Sequence, residues 1–257
     1  MNYMKIFILS LIFIFLFSGL VYAAKYKVNS SGEIINHNVK TTGVLPTQIY
    51  SGTTVKFVDI VIDYSGSMTE VIKKLNNTIN NVISAIPNYT AIGLRQVGGD
   101  FSCKTTRQLA PVRVNNITNL KSGLHEHTYG NEPMVLGVQK AIEEDFAGFD
   151  KTTPKKIIMI TDGAYTCKED PCDFARKLMA ERDDIHIDII YVKANGLLFS
   201  SYDTKKLSCM ANITGGLIHK TEQVNNIPNV LLKSISTISE DVAKKSDEQN
   251  QKFEYIK

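Results

Sequence analysis

The chain contains no tryptophan, no run of more than two basic residues and little net charge, since 29 lysine and arginine residues are set against 26 aspartate and glutamate residues. Proteins that bind nucleic acids usually carry a basic patch or stripe, whereas scattered lysines of this kind are ordinary solvated surface. No internal repeat is visible. We therefore expect a globular protein with no nucleic-acid partner.

The common catalytic signatures are also missing. The serines of Tyr64–Ser67 lack the preceding glycine of the G-x-S-x-G elbow, and the pair Gly98-Gly99 is too sparse for a phosphate-cradling loop. Asp63 is not followed two residues later by the second acid of phosphate-accepting enzymes. His125 and His127 would need a third ligand to bind zinc, and we expect them to be solvated loop residues. No catalytic residue is predicted.

Long apolar runs are scarce, and the most prominent one is at the N-terminus. A short positive region is followed by the almost wholly apolar residues 6–17 and then by Ala23, which is the pattern of a signal peptide over residues 1–23. The alternative is an uncleaved anchor, because the 19 residues from 6 to 24 approach the roughly 20 that span a bilayer. We expect export to the periplasm, the cell surface or the medium, with membrane attachment only if the segment is not cleaved.

Cysteine is rare as well, with four residues in the chain, Cys103, Cys167, Cys172 and Cys209. An even number in an exported chain predicts two disulfides, and the sequence alone leaves all three pairings open. A zinc site is the competing interpretation, but the spacing of these residues is not typical of zinc ligands.

From residue 54 to residue 245 the chain alternates strand-like and helix-like segments. This alternation predicts βαβ units and an α/β fold of three layers, doubly wound, with a mostly parallel central sheet and helices on both faces. Residues 24–53 read as a polar N-terminal arm and residues 246–257 as a disordered tail. The predicted strands are 55–63, 90–97, 107–113 (an edge strand), 156–161, 186–192 and 216–220, and the predicted helices are 68–86, 133–145, 171–182, 203–212 and 226–245.

Oxygen-bearing side chains follow two of these predicted strands. Asp63, Ser65 and Ser67 form a D-x-S-x-S motif after the first strand, and Asp162 ends the apolar run that precedes Gly163. In open α/β sheets, ligands bind outside the carboxyl ends of the strands, and carboxylate and hydroxyl oxygens suit a hard cation. The motifs predict a site for Mg²⁺, or for Mn²⁺ or Ca²⁺. The alternative is that Asp63 and Ser67 only cap the next helix.

Together, D-x-S-x-S after a strand, G-x-x-P before a helix, I-T-D-G and a late T-G-G make the chain resemble the von Willebrand factor type A domain with its metal ion-dependent adhesion site. The resemblance covers residues 54–245 and is greatest to bacterial exported proteins of this family. It implies that Asp63, Ser65 and Ser67 are ligands of the first loop, and that Asp162 is the third-loop aspartate, which reaches the metal through water.

The second loop departs from the family pattern. The resemblance places Glu132 where a metal-binding threonine is expected, and the nearest threonine, Thr128, lies four residues earlier. If Glu132 coordinates, three carboxylates face one divalent ion, and the site should hold metal but attract acidic partners weakly. If Glu132 is a solvated loop residue, Thr128 would take its place.

The resemblance also implies a function and a disulfide pairing. We expect a monomeric, non-enzymatic domain that binds a protein partner through the cation, with Tyr64, Tyr129 and Tyr165 as contact surface. Each of these tyrosines could equally be a packing residue beneath a loop. The strand order that the family implies favours Cys103 with Cys167 and Cys172 with Cys209. Two alternatives stay open: a metal-assisted hydrolase with Glu132 or His127 as its base, and a domain in which the metal only stabilises the fold.

Overall fold

The computed structural model describes residues 27–28, 34–35, 57–86, 90–164, 166–193, 201–221 and 224–236. The predicted signal peptide and tail lie outside these ranges. The chain divides into two units, Met1–Val44 and Leu45–Lys257. In the first, β1 (Lys27–Val28) and β2 (Ile34–Ile35) form an antiparallel pair. Over the described ranges, no helix has both the length and the apolar character needed to cross a membrane.

The second unit is built on one six-stranded sheet. In spatial order its strands are β5 (Thr106–Arg113), β4 (Ala91–Gly98), β3 (Phe57–Tyr64), β6 (Lys155–Thr161), β7 (Ile185–Val192) and β8 (Ile218–Thr221). All neighbouring pairs are parallel except β4 and β5. The helices are α1 (Ile72–Ile83), α2 (Ile117–Gly123), α3 (Met134–Lys140), α4 (Pro171–Glu181), α5 (Ser201–Ile213) and α6 (Ile227–Ser236).

Hydrophobic cores lie on both faces of the sheet. Along β3, Ile60 and Ile62 join the core that also contains residues of α1, α2 and α6, whereas Val61 joins the core with residues of α3, α4 and α5. This follows from the alternation of side chains along a strand. Because both faces are covered, the central strands are buried along almost their whole length. The predicted three-layer, mostly parallel α/β fold is confirmed.

Several predicted element boundaries were wrong. The helix predicted over 68–86 is a 3₁₀ turn, Gly66–Glu70, followed by α1. The α2 helix, with few apolar residues, was not predicted. After α3 the chain continues in a π-helical turn, Ala141–Asp145. The strand predicted from 216 begins at Ile218. At Gly216 the backbone lies so close to β7 that a Cβ would be 1.9 Å from the Ile187 carbonyl oxygen.

Below the carboxyl edge of the sheet, a group of charged side chains is buried. Arg95 of β4 donates from Nε to Asp145 at 2.5 Å, and Gln108 donates to the same carboxylate, also at 2.5 Å. Asp59 of β3 is completely buried beside them. Burial raises the pKa of Asp59 well above its ordinary value, the charge of Asp145 raises it further, and the charge of Arg95 lowers it.

We expect Asp59→Asn to stabilise the protein at alkaline pH. A carboxyl with a raised pKa in the folded state contributes stability below its ordinary, unfolded pKa, and this is lost as the pH rises through the folded value. Between the unfolded and the folded pKa, the folded state keeps a proton that the unfolded state has lost. Over this range, each increase of one pH unit reduces the free energy of unfolding by about 1.4 kcal/mol. Thermal unfolding between pH 4 and pH 9 should therefore give a flatter profile for the variant, while Asp183→Asn, at an exposed site, should leave the profile unchanged. Parallel profiles for wild type and Asp59→Asn would contradict this prediction.

Candidate metal centre

Three segments meet at the carboxyl edge of the sheet. The strands β3 and β6 are adjacent and parallel, so Asp63 near the end of β3 and Asp162 directly after β6 leave the sheet at the same edge. The third segment, residues 129–133, precedes α3 and is joined to the first by a hydrogen bond from the Gly66 N–H to the Gly130 carbonyl at 3.3 Å. Glycine is required at 130, since its φ is +80° and a Cβ would lie 2.0 Å from the Asp100 carbonyl oxygen.

The Asp63 carboxylate is fixed on both sides. One oxygen accepts a hydrogen bond from the Ser65 N–H at 2.8 Å, and the other accepts one from the Thr161 hydroxyl, also at 2.8 Å. The pKa of Asp63 is raised to about 6, because burial and then the charge of Asp162 raise it more than the hydrogen bonds from Ser65 and Thr161 lower it. A buried carboxylate next to a like charge is stabilised in its ionised form by a cation.

Two hydroxyls extend the first loop. The Oγ atoms of Ser65 and Ser67 are 3.0 Å apart, with Ser65 buried and Ser67 half-buried. Ser65 precedes the 3₁₀ turn, but its side chain makes no capping hydrogen bond there. The alternative that Asp63 and Ser67 only cap the next helix has no support from the geometry, because neither the 3₁₀ turn nor α1 has a side-chain capping hydrogen bond.

The second loop turns Glu132 inward. Its side chain is 1% exposed, and its backbone N–H donates to the Thr166 hydroxyl at 2.9 Å. Thr128, by contrast, shares a hydrogen bond with the Thr69 hydroxyl at 2.8 Å in an exposed position. The expectation that Glu132 could be a solvated loop residue is wrong, and the geometry favours Glu132 over Thr128 as the oxygen donor of this loop.

The third loop holds Asp162 in a tight turn. One carboxylate oxygen accepts from the Ala164 N–H at 3.0 Å, whereas Oδ2 is buried and has no hydrogen-bond partner among the described residues. Gly163 follows with φ +81° and packs against Tyr191. A buried carboxylate oxygen with no donor is costly unless a cation or another donor satisfies it.

The three carboxylates converge. Asp63, Glu132 and Asp162 each offer an oxygen within 4.8 Å of the other two, and all three side chains are buried. Together with the two serine hydroxyls they form a donor set of oxygens only, which suits Mg²⁺, Mn²⁺ or Ca²⁺ better than a softer metal. Their three negative charges exceed the two positive charges of a divalent ion. Because of this charge and the oxygen donors, the residues fit a divalent cation and would hold it firmly.

Both disulfides have the expected pairing, Cys103 with Cys167 and Cys172 with Cys209. The first joins the loop after β4 to the loop after Asp162. It lies next to Thr166, whose hydroxyl accepts from the Glu132 backbone. This covalent link therefore supports the second and third loops at once.

Two residues of the site were not predicted from the sequence, and the exposure of a third differs from one of its expected roles. Thr161 and Thr166 orient Asp63 and Glu132, and the only signal for Thr161 was its position beside Asp162 at the strand end. Tyr64, one of the tyrosines considered as contact surface, is fully buried in the core that also contains residues of α1, and its ring stacks on His125 with centroids 4.2 Å apart.

The surroundings of the site differ from the expectations in two further respects. His125 is half-buried rather than solvated, while His127 is exposed. Tyr129 is 50% exposed, and Tyr165 lies outside the described residues.

The model of the von Willebrand factor type A domain matches residues 58–232. The uncharacterized protein YwmC of Bacillus subtilis (strain 168) is 25% identical over 175 residues, which cover 62% of this chain and 74% of YwmC.

Solved structures share the fold at low sequence identity. A von Willebrand factor type A protein from Catenulispora acidiphila superimposes with a TM-score of 0.57 at 17% identity, over 71% of this chain and 42% of that one. Proximal thread matrix protein 1 from the mussel byssus, in a structure described as having a zinc-occupied MIDAS motif, gives 0.51 at 16% identity, over 70% and 45% of the two chains. Since the family match spans most of the chain, this protein belongs to the von Willebrand factor type A domain family.

Proposed function

We propose that this protein is a non-catalytic binding module that holds a divalent cation, Mg²⁺ in the first place, and engages a protein partner through it. The observation that carries the proposal is the convergence of three buried carboxylates from separate loops within 4.8 Å of one another. The bound cation would supply a Lewis-acidic centre that accepts an oxygen atom of the partner.

Each ligand has a distinct part in this proposal. Asp63, with Ser65 and Ser67, would form the first-loop face of the site, and Glu132 would close it from the second loop. Asp162 would act from the third loop, where its Oδ2 has no hydrogen-bond partner among the described residues. The mussel byssus protein carries zinc in its motif, but the oxygen-only donors of this chain favour a harder ion.

We further propose that the protein works outside the cytoplasm. The support is the apolar N-terminal segment together with the two disulfides of the folded domain, because disulfides persist in oxidising compartments. In such a setting the metal site would meet partners of the envelope or the cell surface.

The metal itself provides the first test. At a Mg²⁺ concentration about 100 times its Kd, binding to the folded state adds about 2.7 kcal/mol to the free energy of unfolding. For a domain of this size we expect Tm to rise by about 5–10 °C. Asp63→Ala should lose this rise, whereas Asp183→Ala, at an exposed site, should keep it. An equal rise in Asp63→Ala would contradict the proposed site.

Partner binding is tested with the immobilised protein and envelope proteins of the native organism, with Mg²⁺ or with a chelator. We expect specific partners to be retained only with Mg²⁺ and only by the wild type, not by Asp63→Ala. Partners that are retained equally with Mg²⁺ and with the chelator would favour the alternative in which the metal only stabilises the fold. Metal-dependent turnover of phosphate or ester substrates would favour the hydrolase.

A further inference from the structure

Beside the metal centre lies a cleft of about 1060 Å³, between β4, β5 and the segment that follows α2. Gly98 and Tyr129 form its end nearest the metal loops. At Gly98 the backbones are so close that a Cβ would lie 2.5 Å from the Ser65 nitrogen. The N–H of Tyr129 donates to the Tyr64 carbonyl, between Asp63 and Ser65, at 3.1 Å. The cleft therefore begins directly beside the first-loop ligands.

Its polar wall is organised by one buried amide. Gln96 is 7% exposed, and its nitrogen donates to the Gly98 carbonyl at 3.0 Å, which fixes the amide orientation. Its oxygen then faces both the Arg107 guanidinium at 3.1 Å and the His125 Nε2 at 2.9 Å. Because an amide oxygen only accepts, Nε2 of His125 carries the proton. Gln96 thus holds Arg107 in place without neutralising its charge.

The charge of Arg107 is not matched by a carboxylate. No ion pair among the described residues includes Arg107. The acid that lines the cleft, Asp100, accepts from the Ser102 N–H at 2.7 Å and from the Thr105 hydroxyl at 2.9 Å. Its oxygens are occupied by its own loop. The remaining donors of Arg107, and the exposed ring of His127, are directed to solvent or to a ligand.

The mouth of the cleft carries aromatic surface. Phe101 is 76% exposed and Tyr129 50% exposed, and they are two of the three large hydrophobic side chains that are exposed among the described residues. Their rings are in contact, with centroids 5.9 Å apart. Exposed aromatic side chains and arginine are both enriched at protein-binding surfaces, so this surface favours a polypeptide over a free small anion.

We infer that this cleft binds a second carboxylate of the protein partner, by Arg107 and His127, while a first carboxylate of the same segment binds the cation. The inference rests on the proposed function, because the first contact requires the metal. It supplies affinity that a cation surrounded by Asp63, Glu132 and Asp162 would give an acidic partner only weakly, since a guanidinium binds a carboxylate through two parallel hydrogen bonds. A single acidic residue would contact only one of the two sites, the cation or the cleft. A segment with two acidic residues at the right spacing would contact both.

The test uses capped glycine-rich peptides that carry one aspartate, or two aspartates at increasing spacing, added to the full chain with saturating Mg²⁺. Binding is followed by the NMR signals of the His127 ring and by titration calorimetry. At the best spacing we expect the two-aspartate peptide to bind about tenfold more tightly than the one-aspartate peptide, as for one additional charge-assisted hydrogen-bonded contact. Arg107→Gln should remove this advantage without changing Mg²⁺ affinity.

Arg113→Gln is the matched control. Arg113 lies on the same strand and also donates to an amide side-chain oxygen, that of Asn116 at 2.9 Å, but it does not line the cleft. The control should keep the tenfold advantage. Equal affinities of the two peptides for wild type, or an undiminished advantage in Arg107→Gln, would overturn the inference. If neither peptide binds in a Mg²⁺-dependent way, the proposed function itself fails, which is a different result.

Discussion

Replacing Glu132 by threonine is expected to weaken Mg²⁺ binding and to strengthen the binding of a partner's carboxylate. Two unit charges 4 Å apart interact by about 4 kcal/mol at an effective dielectric of about 20. The new hydroxyl and the altered desolvation offset part of this, so we expect metal affinity to fall by about 10- to 100-fold. The ion keeps more of its positive charge, and a one-aspartate peptide should then bind more tightly at saturating Mg²⁺.

Calorimetric titration of both ligands measures the two effects separately. Glu126→Thr is the control, because it removes the same charge six residues earlier from an exposed position. It should change neither affinity appreciably. If Glu132→Thr also leaves both affinities unchanged, Glu132 takes no part in the site, and its burial among Asp63 and Asp162 would need another explanation.

The position of the site could be predicted from the sequence because it depends on topology. Asp63 and Asp162 each follow an apolar run, and parallel strands bring their carboxyl ends to one edge of the sheet. The observed strand order makes β3 and β6 neighbours. No side-chain detail is needed for that step, which is why the two aspartates were placed together correctly.

The second loop could not be predicted in the same way. Residues 124–133 contain no regular element, so neither strand alternation nor helical periodicity fixes which side chain turns inward. The choice between Glu132 and Thr128 depends on long-range contacts, from Gly130 to Asp100 and from Glu132 to Thr166.

Tyr64 shows a related limit. The sequence leaves open whether Tyr64 supplies contact surface or packs beneath the loop. It ends β3 on the face that carries His125, and packing decides its exposure.

Removing either disulfide is expected to lower the stability of the protein by a similar amount, but the two removals should differ in their effect on metal binding. They close segments with sequence separations of 64 and 37 residues. Chain entropy gives about 4 kcal/mol for each. Converting either pair to serines should therefore lower Tm by about 8–16 °C. Thermal unfolding without metal, under non-reducing conditions, measures this effect in both double variants.

Only the loss of Cys103–Cys167 should also weaken Mg²⁺ binding, by about tenfold, as when a group that orients a metal ligand is removed. Cys167 lies five residues beyond Asp162. It directly follows Thr166, whose hydroxyl accepts a hydrogen bond from the Glu132 N–H. The pair Cys172–Cys209 joins α4 to α5, two helices that carry none of the three carboxylates. Calorimetry at a temperature where both variants are folded separates the two cases. Equal losses of metal affinity would mean that the site responds to global stability, whereas a loss confined to the first pair would show that the disulfide positions the ligands.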